Sequence, residues 1–171
     1  MPLMALTLAA CSGSAETVRT VSPDAYASPS CWFNPEGELA AFLVLARDDG
    51  VAVPHLVSGK CLPEPGRVSL GAATLLQIGA AEMIDRRGAL QRAFPGMSIS
   101  TSAITDQPMP SAESKVYYFR ARVSTVHHPG GVAYAPEQIL QLDDTNMSFE
   151  RFLELTASER ETLWRARRPS R

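Results

Sequence analysis

The clearest hydrophobic pattern in the chain lies between residues 116 and 125, where apolar and polar side chains alternate. Alternation with a period of two is typical of a β-strand that buries one face. The pattern therefore predicts a strand with one face in the core and the other face in solvent. The predicted core face carries Tyr117, Phe119, Ala121 and Val123, and the predicted outer face carries Tyr118, Arg120, Arg122 and Ser124.

Three further segments have β character. Residues 51–57 have an extended pattern, and residues 97–104 and 132–142 are weaker strand candidates. The turn between the clearest strand and the last candidate is His128-Pro129-Gly130-Gly131, and Pro and Gly favour the backbone angles of tight turns. The clearest strand and the two weaker candidates together predict a small antiparallel sheet.

The longest helical pattern covers residues 69–94. Apolar side chains recur there at helical spacing, Glu82 stands one turn before Arg86, and Pro95 follows as a stop signal. We therefore predict a long central helix over this range.

Helix signals return near the end of the chain. Ser148 is a candidate N-cap for a short helix. Thr156 and Glu159 have the spacing of a capping box, which predicts a second helix that runs to Arg168.

Residues 39–46 are apolar at every position, so periodicity does not distinguish a buried strand from a buried helix. The preceding Asn34-Pro35-Glu36-Gly37 fits either a type I turn or a helix start with Asn34 as N-cap. We favour a helix over residues 39–46 because of this cap.

The order of these elements predicts an α+β fold, in which a small antiparallel sheet packs with a long central helix and C-terminal helices. We assign residues 31–171 to a single globular domain, a length sufficient for one core. The formal net charge is only −2, so the sequence does not indicate a nucleic-acid partner.

The N-terminal residues have the order of an export signal. An apolar stretch over residues 2–10 is followed by a cysteine and small polar residues. About ten apolar residues reach only about 15 Å as a helix, too short for a membrane core of about 30 Å. The segment resembles a bacterial lipobox in the motif Leu8-Ala9-Ala10-Cys11.

The lipobox resemblance implies that residues 1–10 are a signal peptide and that Cys11 receives the diacyl (palmitate-containing) anchor. Residues 11–30 are rich in Ser, Ala, Thr and Pro and would form a flexible tether. Ser12 after the anchor implies an outer-membrane lipoprotein that faces the periplasm. The alternative is an apolar N-terminus on a cytosolic domain.

Two cysteines remain if Cys11 carries lipid. In an oxidising compartment, Cys31 and Cys61 would form a disulfide, and closing a loop of about 30 residues would stabilise the fold by about 3 to 4 kcal/mol. The alternatives are a metal pair or a reactive nucleophile, but neither cysteine has a His or a second Cys at ligand spacing.

The candidate chemistry elsewhere is sparse, and we assign no catalytic residue, metal ligand or cofactor. His127 and His128 are adjacent on a strand and would point to opposite sides. The acidic segment at residues 143–146 lacks the glycine and the final glutamate of a calcium-binding EF-hand loop. Ser58 with Lys60, and Ser114 with Lys115, lack the spacing of Ser/Lys hydrolases.

A second resemblance concerns two short segments. Residues 61–68 (CLPEPGRV) and 89–95 (ALQRAFP) are similar in layout to exported immunity proteins of the Rap1a/Tai type, which neutralise cell-wall amidase toxins. That family usually continues with a cysteine where this chain has Gly96. No functional residue is transferred from it.

These observations lead to a functional expectation. The chain is predicted to be a lipid-anchored periplasmic or envelope protein of the secretion-system, envelope-assembly or immunity type, acting through a protein partner. Tyr118, Arg120 and Arg122 are the predicted partner-binding residues, because Tyr and Arg are enriched in interface hot spots. The same residues are also common on sheets without a partner. The alternative function is an envelope hydrolase whose active residues converge only in three dimensions.

Overall fold

The computed structural model describes residues 28–62, 80–102, 108–128 and 131–167. Strands make up 48% and helices 21% of the structure, so the prediction of an α+β fold with a long central helix is wrong. The strands are β1 (Leu39–Asp48), β2 (Val51–Val57), β3 (Ala80–Met83), β4 (Ser98–Ile99), β5 (Lys115–His128) and β6 (Gly131–Ser148). The helices of the described part are α1 (Pro29–Trp32), α2 (Ala89–Ala93), α3 (Phe149–Leu153) and α4 (Ala157–Ala166).

Five of the strands close into a barrel in the order β1-β5-β6-β3-β2, and β2 pairs back with β1. The β3–β6 pairing is parallel and the other four are antiparallel. Strand β4 adds to β2 in parallel, outside the closed ring. This strand order, with α2 between β3 and the next barrel strand, is that of Greek-key barrels of the OB type.

The apolar run at residues 39–46 is strand β1, so the prediction of a helix there is wrong. Alternate side chains beginning with Leu39 line the barrel interior, whereas Phe42 and Val44 lie in a second apolar cluster beneath the C-terminal helices. Because both faces are buried, the strand has no polar positions that would reveal its period. The residues before it form a turn in which Gly37 N–H donates to the Asn34 carbonyl at 3.0 Å.

The predicted helix over residues 69–94 is replaced, in its described part, by strand β3 and the short helix α2. A turn at residues 85–88 separates the two elements, and Gly88 has a φ of +65° there. The carboxylate of Asp85 caps α2 by accepting from the N–H groups of Leu90 and Gln91 at 3.0 and 2.8 Å. Residues 69–79 of the predicted helix lie outside the described residues.

Several other predictions are confirmed. Strand β2 has the predicted bounds, β5 contains the alternating segment, and β6 extends beyond residues 132–142 at both ends. Ser148 caps α3, and Thr156 with Glu159 forms the predicted capping box of α4. Of the weak strand candidate at residues 97–104, the described residues 97–102 contain the two-residue strand β4, and residues 103–104 lie outside the described residues.

Helices α3 and α4 cover the outer face of β1 and the beginning of β5. Phe152 and Trp164 pack against Phe42 at ring-centroid distances of 4.6 and 5.6 Å. Arg160 of α4 is fully buried, at 0% exposure, and donates to the carbonyls of Gly59, Leu62 and Leu155. This guanidinium fastens α4 to the loop that follows β2.

Candidate functional site

Cys31 and Cys61 form the predicted disulfide, which joins α1 to the loop after β2 across a Cα–Cα distance of 5.6 Å. Ser58 supports this link, since its hydroxyl donates to the Cys31 carbonyl at 2.7 Å and accepts from the Cys61 N–H at 3.1 Å. Ser58 therefore has a structural role beside the disulfide. The predicted lipidation site, Cys11, lies outside the described residues.

Tyr118 does not lie on an open partner surface, and this part of the prediction needs correction. Its residue exposure is 3%, and its ring packs against Phe42 and Trp164 at centroid distances of 5.6 and 5.9 Å. The guanidinium of Arg167 lies 5.4 Å from the ring centroid. The alternation correctly separated the two faces of β5, but the C-terminal helices cover the outer face at this position.

The other two predicted partner residues lie further along the same outer face. Arg120 is half-buried, and its Nε is 3.7 Å from Oε2 of Glu38. Arg122 is exposed, and its Nη1 is 3.4 Å from Oε1 of Gln138. The structure therefore leaves Arg122 accessible and Arg120 partly accessible at the border of the covered region.

Strand β5 divides into two halves at this border. The first half, residues 115–121, pairs with β6 on one side and, from Val116 onward, with β1 on the other. The second half, residues 122–128, pairs with β6 alone within the described ranges. As far as the described residues go, the second half thus presents an open strand edge beside Arg122.

A row of titratable side chains crosses the outer wall of β2, β3 and β5. His128 Nε2 lies 3.2 Å from Glu82 Oε2, and Glu82 is opposite His55 in the β2–β3 register. Burial raises the pKa of Glu82 above its usual value, and His128 acts in the opposite direction. Burial lowers the pKa of His55, whose Nε2 is 2.9 Å from the Pro108 carbonyl.

The His128–Glu82 contact supplies part of what a hydrolase would need. An imidazole beside a carboxylate is one element of several hydrolase sites. His127 is exposed while His128 is largely covered, in agreement with the prediction that the two rings point to different sides. No group of three or more potential metal-ligating side chains occurs among the described residues.

A cleft of about 350 Å³ opens at the other end of β5, where its first residues meet the end of β1. Its apolar wall includes Leu45, Met97, Met109 and the ring of Tyr117, and Arg47 stands at its rim. Tyr117 also makes an edge-to-face contact with Phe94 at 5.2 Å. Burial and the nearby Asp144 carboxylate raise the pKa of the Tyr117 hydroxyl.

The remaining candidate groups near the cleft are engaged with one another. Asp144 accepts from Lys115 Nζ at 3.2 Å and from the Asn146 N–H at 2.7 Å. The Ser114 hydroxyl accepts from the Ser111 N–H at 3.0 Å. Neither Ser/Lys pair is arranged as a nucleophile and base.

The face that many OB-type barrels use for ligands is closed in this chain at the residues of β2. OB-type barrels bind oligonucleotides and oligosaccharides on strands 2 and 3 and on the loop between strands 1 and 2. Here Val53 and His55 are buried on the outer face of β2, and Asp48 pairs with Val51 across a tight β1–β2 turn.

None of the described helices is long and apolar enough to cross a membrane. The comparisons with protein-family models, curated proteins and solved structures gave no match to this chain.

Proposed function

We propose that this protein is an exported, lipid-anchored module of the bacterial cell envelope that works by binding a protein partner. The observation that carries the proposal is the Cys31–Cys61 disulfide, because structural disulfides persist in oxidising compartments such as the periplasm. The lipobox-like residues 8–11 supply the anchor. Cys11 would carry lipid while the other two cysteines pair with each other.

The second half of β5 is the partner surface in this proposal. An open strand edge can accept an extended chain by β-augmentation, in which main-chain hydrogen bonds give affinity. Arg122 is exposed beside this edge, and Arg120 lies one alternate position away. Both side chains are cationic, so the partner segment would be extended and would carry acidic side chains opposite the two arginines.

The anchor is tested by labelling cells with radioactive palmitate. The full-length protein should incorporate the label, and Cys11→Ser should abolish incorporation, whereas Ser12→Ala should retain it because the acceptor thiol is still present. Label retained in Cys11→Ser, or an unprocessed soluble product that begins at Met1, would contradict the anchor.

A further inference from the structure

The cleft at the start of β5 has the size and lining of a ligand site. Its volume of about 350 Å³ lies within the usual range for pockets that bind small ligands. The wall is apolar at Leu45, which is 6% exposed, and at Met97 and Met109. Methionine side chains adapt to irregular apolar groups, so this wall suits a short aliphatic side chain.

Arg47 is the cation of this cleft that has no hydrogen-bond or ion-pair partner among the described residues. The other lining cation, Lys115, is held by Asp144 at 3.2 Å, whereas Arg47 makes no hydrogen bond or ion pair with any described residue. A guanidinium binds a carboxylate through two parallel hydrogen bonds. The Tyr117 hydroxyl, which also has no hydrogen-bond partner in the described ranges, stands in the same lining as a further donor.

The rest of the rim limits which anions fit. Glu113 lies in the lining with an exposed carboxylate, and its charge disfavours a dianion such as phosphate beside Arg47. The same carboxylate can accept hydrogen bonds from peptide N–H groups, whereas an acyl chain would leave this acceptor unused.

We propose that this cleft binds the C-terminal carboxylate of a peptide chain whose last side chain is apolar. Arg47 and Tyr117 hold the carboxylate, the wall of Leu45 and the two methionines receives the side chain, and the rim accepts the peptide N–H groups. The inference rests on the proposed role in binding a protein partner and specifies which part of a partner reaches the cleft. The cleft lies at the opposite end of β5 from the open edge, so the two contacts are separate.

The test is calorimetric titration of the full chain with N-acetyl-alanyl-leucine. We expect binding with a Kd of about 1 mM or tighter. The C-terminal amide of the same peptide should bind at least tenfold more weakly, and Arg47→Gln should weaken binding of the free acid by a similar factor. Tyr117→Phe, which preserves the ring contact with Phe94, should weaken it less. Arg165→Gln, exposed on α4 and outside the cleft lining, should leave the affinity unchanged.

Four outcomes would overturn the inference. The first is no detectable binding of the free acid, the second is equal binding of acid and amide, and the third is an Arg47→Gln variant with unchanged affinity. The fourth is octanoate binding tenfold more tightly than the peptide, which would assign the cleft to acyl chains. Since Arg47 is exposed, its variant should fold normally, and a melting curve verifies this. Loss of palmitate labelling or of the β5 contact would leave these titrations unchanged, so the two proposals fail separately.

Discussion

The two halves of β5 have the same alternating sequence pattern but very different surroundings. In the first half, Phe119 and Ala121 face the barrel interior and Tyr118, on the opposite face, is buried beneath the C-terminal helices. In the second half, Arg122, Ser124 and other side chains are exposed. The difference shows that alternation identifies which side chains share a face, whereas elements distant in sequence decide whether that face meets solvent.

The border between the halves is set by the start of β1. Leu39, the first residue of β1, pairs with Ala121, so β1 has no further residue to pair with Arg122. Glu38, just before the strand, instead approaches the guanidinium of Arg120. The edge of β5 therefore opens where its neighbour begins.

The largest expected effect comes from the interior of the first half. Phe119→Ala should lower the free energy of unfolding by about 3 to 5 kcal/mol and should prevent folding if the total stability is small, because it leaves a cavity in the barrel. The matched control is Val123→Ala, on the same face in the half-buried second half, which should cost about 1 kcal/mol. Urea unfolding measures both. Equal costs would show that the two halves are packed alike.

The cover over the first half depends on Arg160. Replacing it as Arg160→Met leaves buried carbonyl groups without donors, and we expect a loss of about 2 to 4 kcal/mol in the free energy of unfolding. Arg165→Met, on the exposed side of the same helix, should change it by about 0.5 kcal/mol or less. With Trp32 replaced by Phe in both variants, Trp164 fluorescence during unfolding reports on the helix. If Arg160→Met leaves the free energy of unfolding unchanged, α4 is held by apolar contacts alone.

A smaller effect concerns pH and the titratable row that ends at His128. Because the pKa of His55 is lowered in the folded protein, the unfolded chain binds a proton at this histidine more readily. Through this group, the free energy of unfolding therefore decreases as the pH falls below about 6.5. The pKa of Glu82 is raised, so the folded protein binds a proton at this carboxylate more readily than the unfolded chain does. Through this group, acidification therefore increases the free energy of unfolding.

Melting temperatures between pH 7 and pH 5 separate the two groups. His55→Gln should make the loss of stability on acidification shallower than in the unmodified protein, and Glu82→Gln should make it steeper. If the melting temperature falls with pH by the same amount in all three proteins, neither His55 nor Glu82 contributes to the pH dependence of stability.

The sequence was sufficient to predict elements whose pattern is local. The strands β2 and β5 and the caps at Ser148 and Thr156 follow from alternation and from side-chain hydrogen bonds within a few residues. Strand β1 was not predictable as a strand, because burial on both faces removes its period. The long helix failed because a turn interrupts its described part, where Gly88 has a positive φ and the carboxylate of Asp85 caps a new, short helix.

The site residues likewise divide into those that the sequence could predict and those that it could not. The Cys31–Cys61 pair was predictable from the cysteine count and the expected compartment. Burial of Tyr118 was not, because the covering helices follow it by about 30 residues in the chain. The cleft around Arg47 joins the end of β1 to the segment before β5, and no local pattern connects those positions.

The central claim is that the second half of β5 contacts a protein partner, and site-specific photo-crosslinking in cells tests it most directly. A photoreactive residue at Ser124, exposed in the second half, should give one discrete adduct, and the same residue at Glu161, exposed on α4, should give none. Adding Arg120→Ala and Arg122→Ala together should abolish the adduct while the melting temperature stays within about two degrees. An adduct that persists in this double variant, or that forms equally from position 161, would contradict the account, and unfolding of the double variant would show that the arginines are structural.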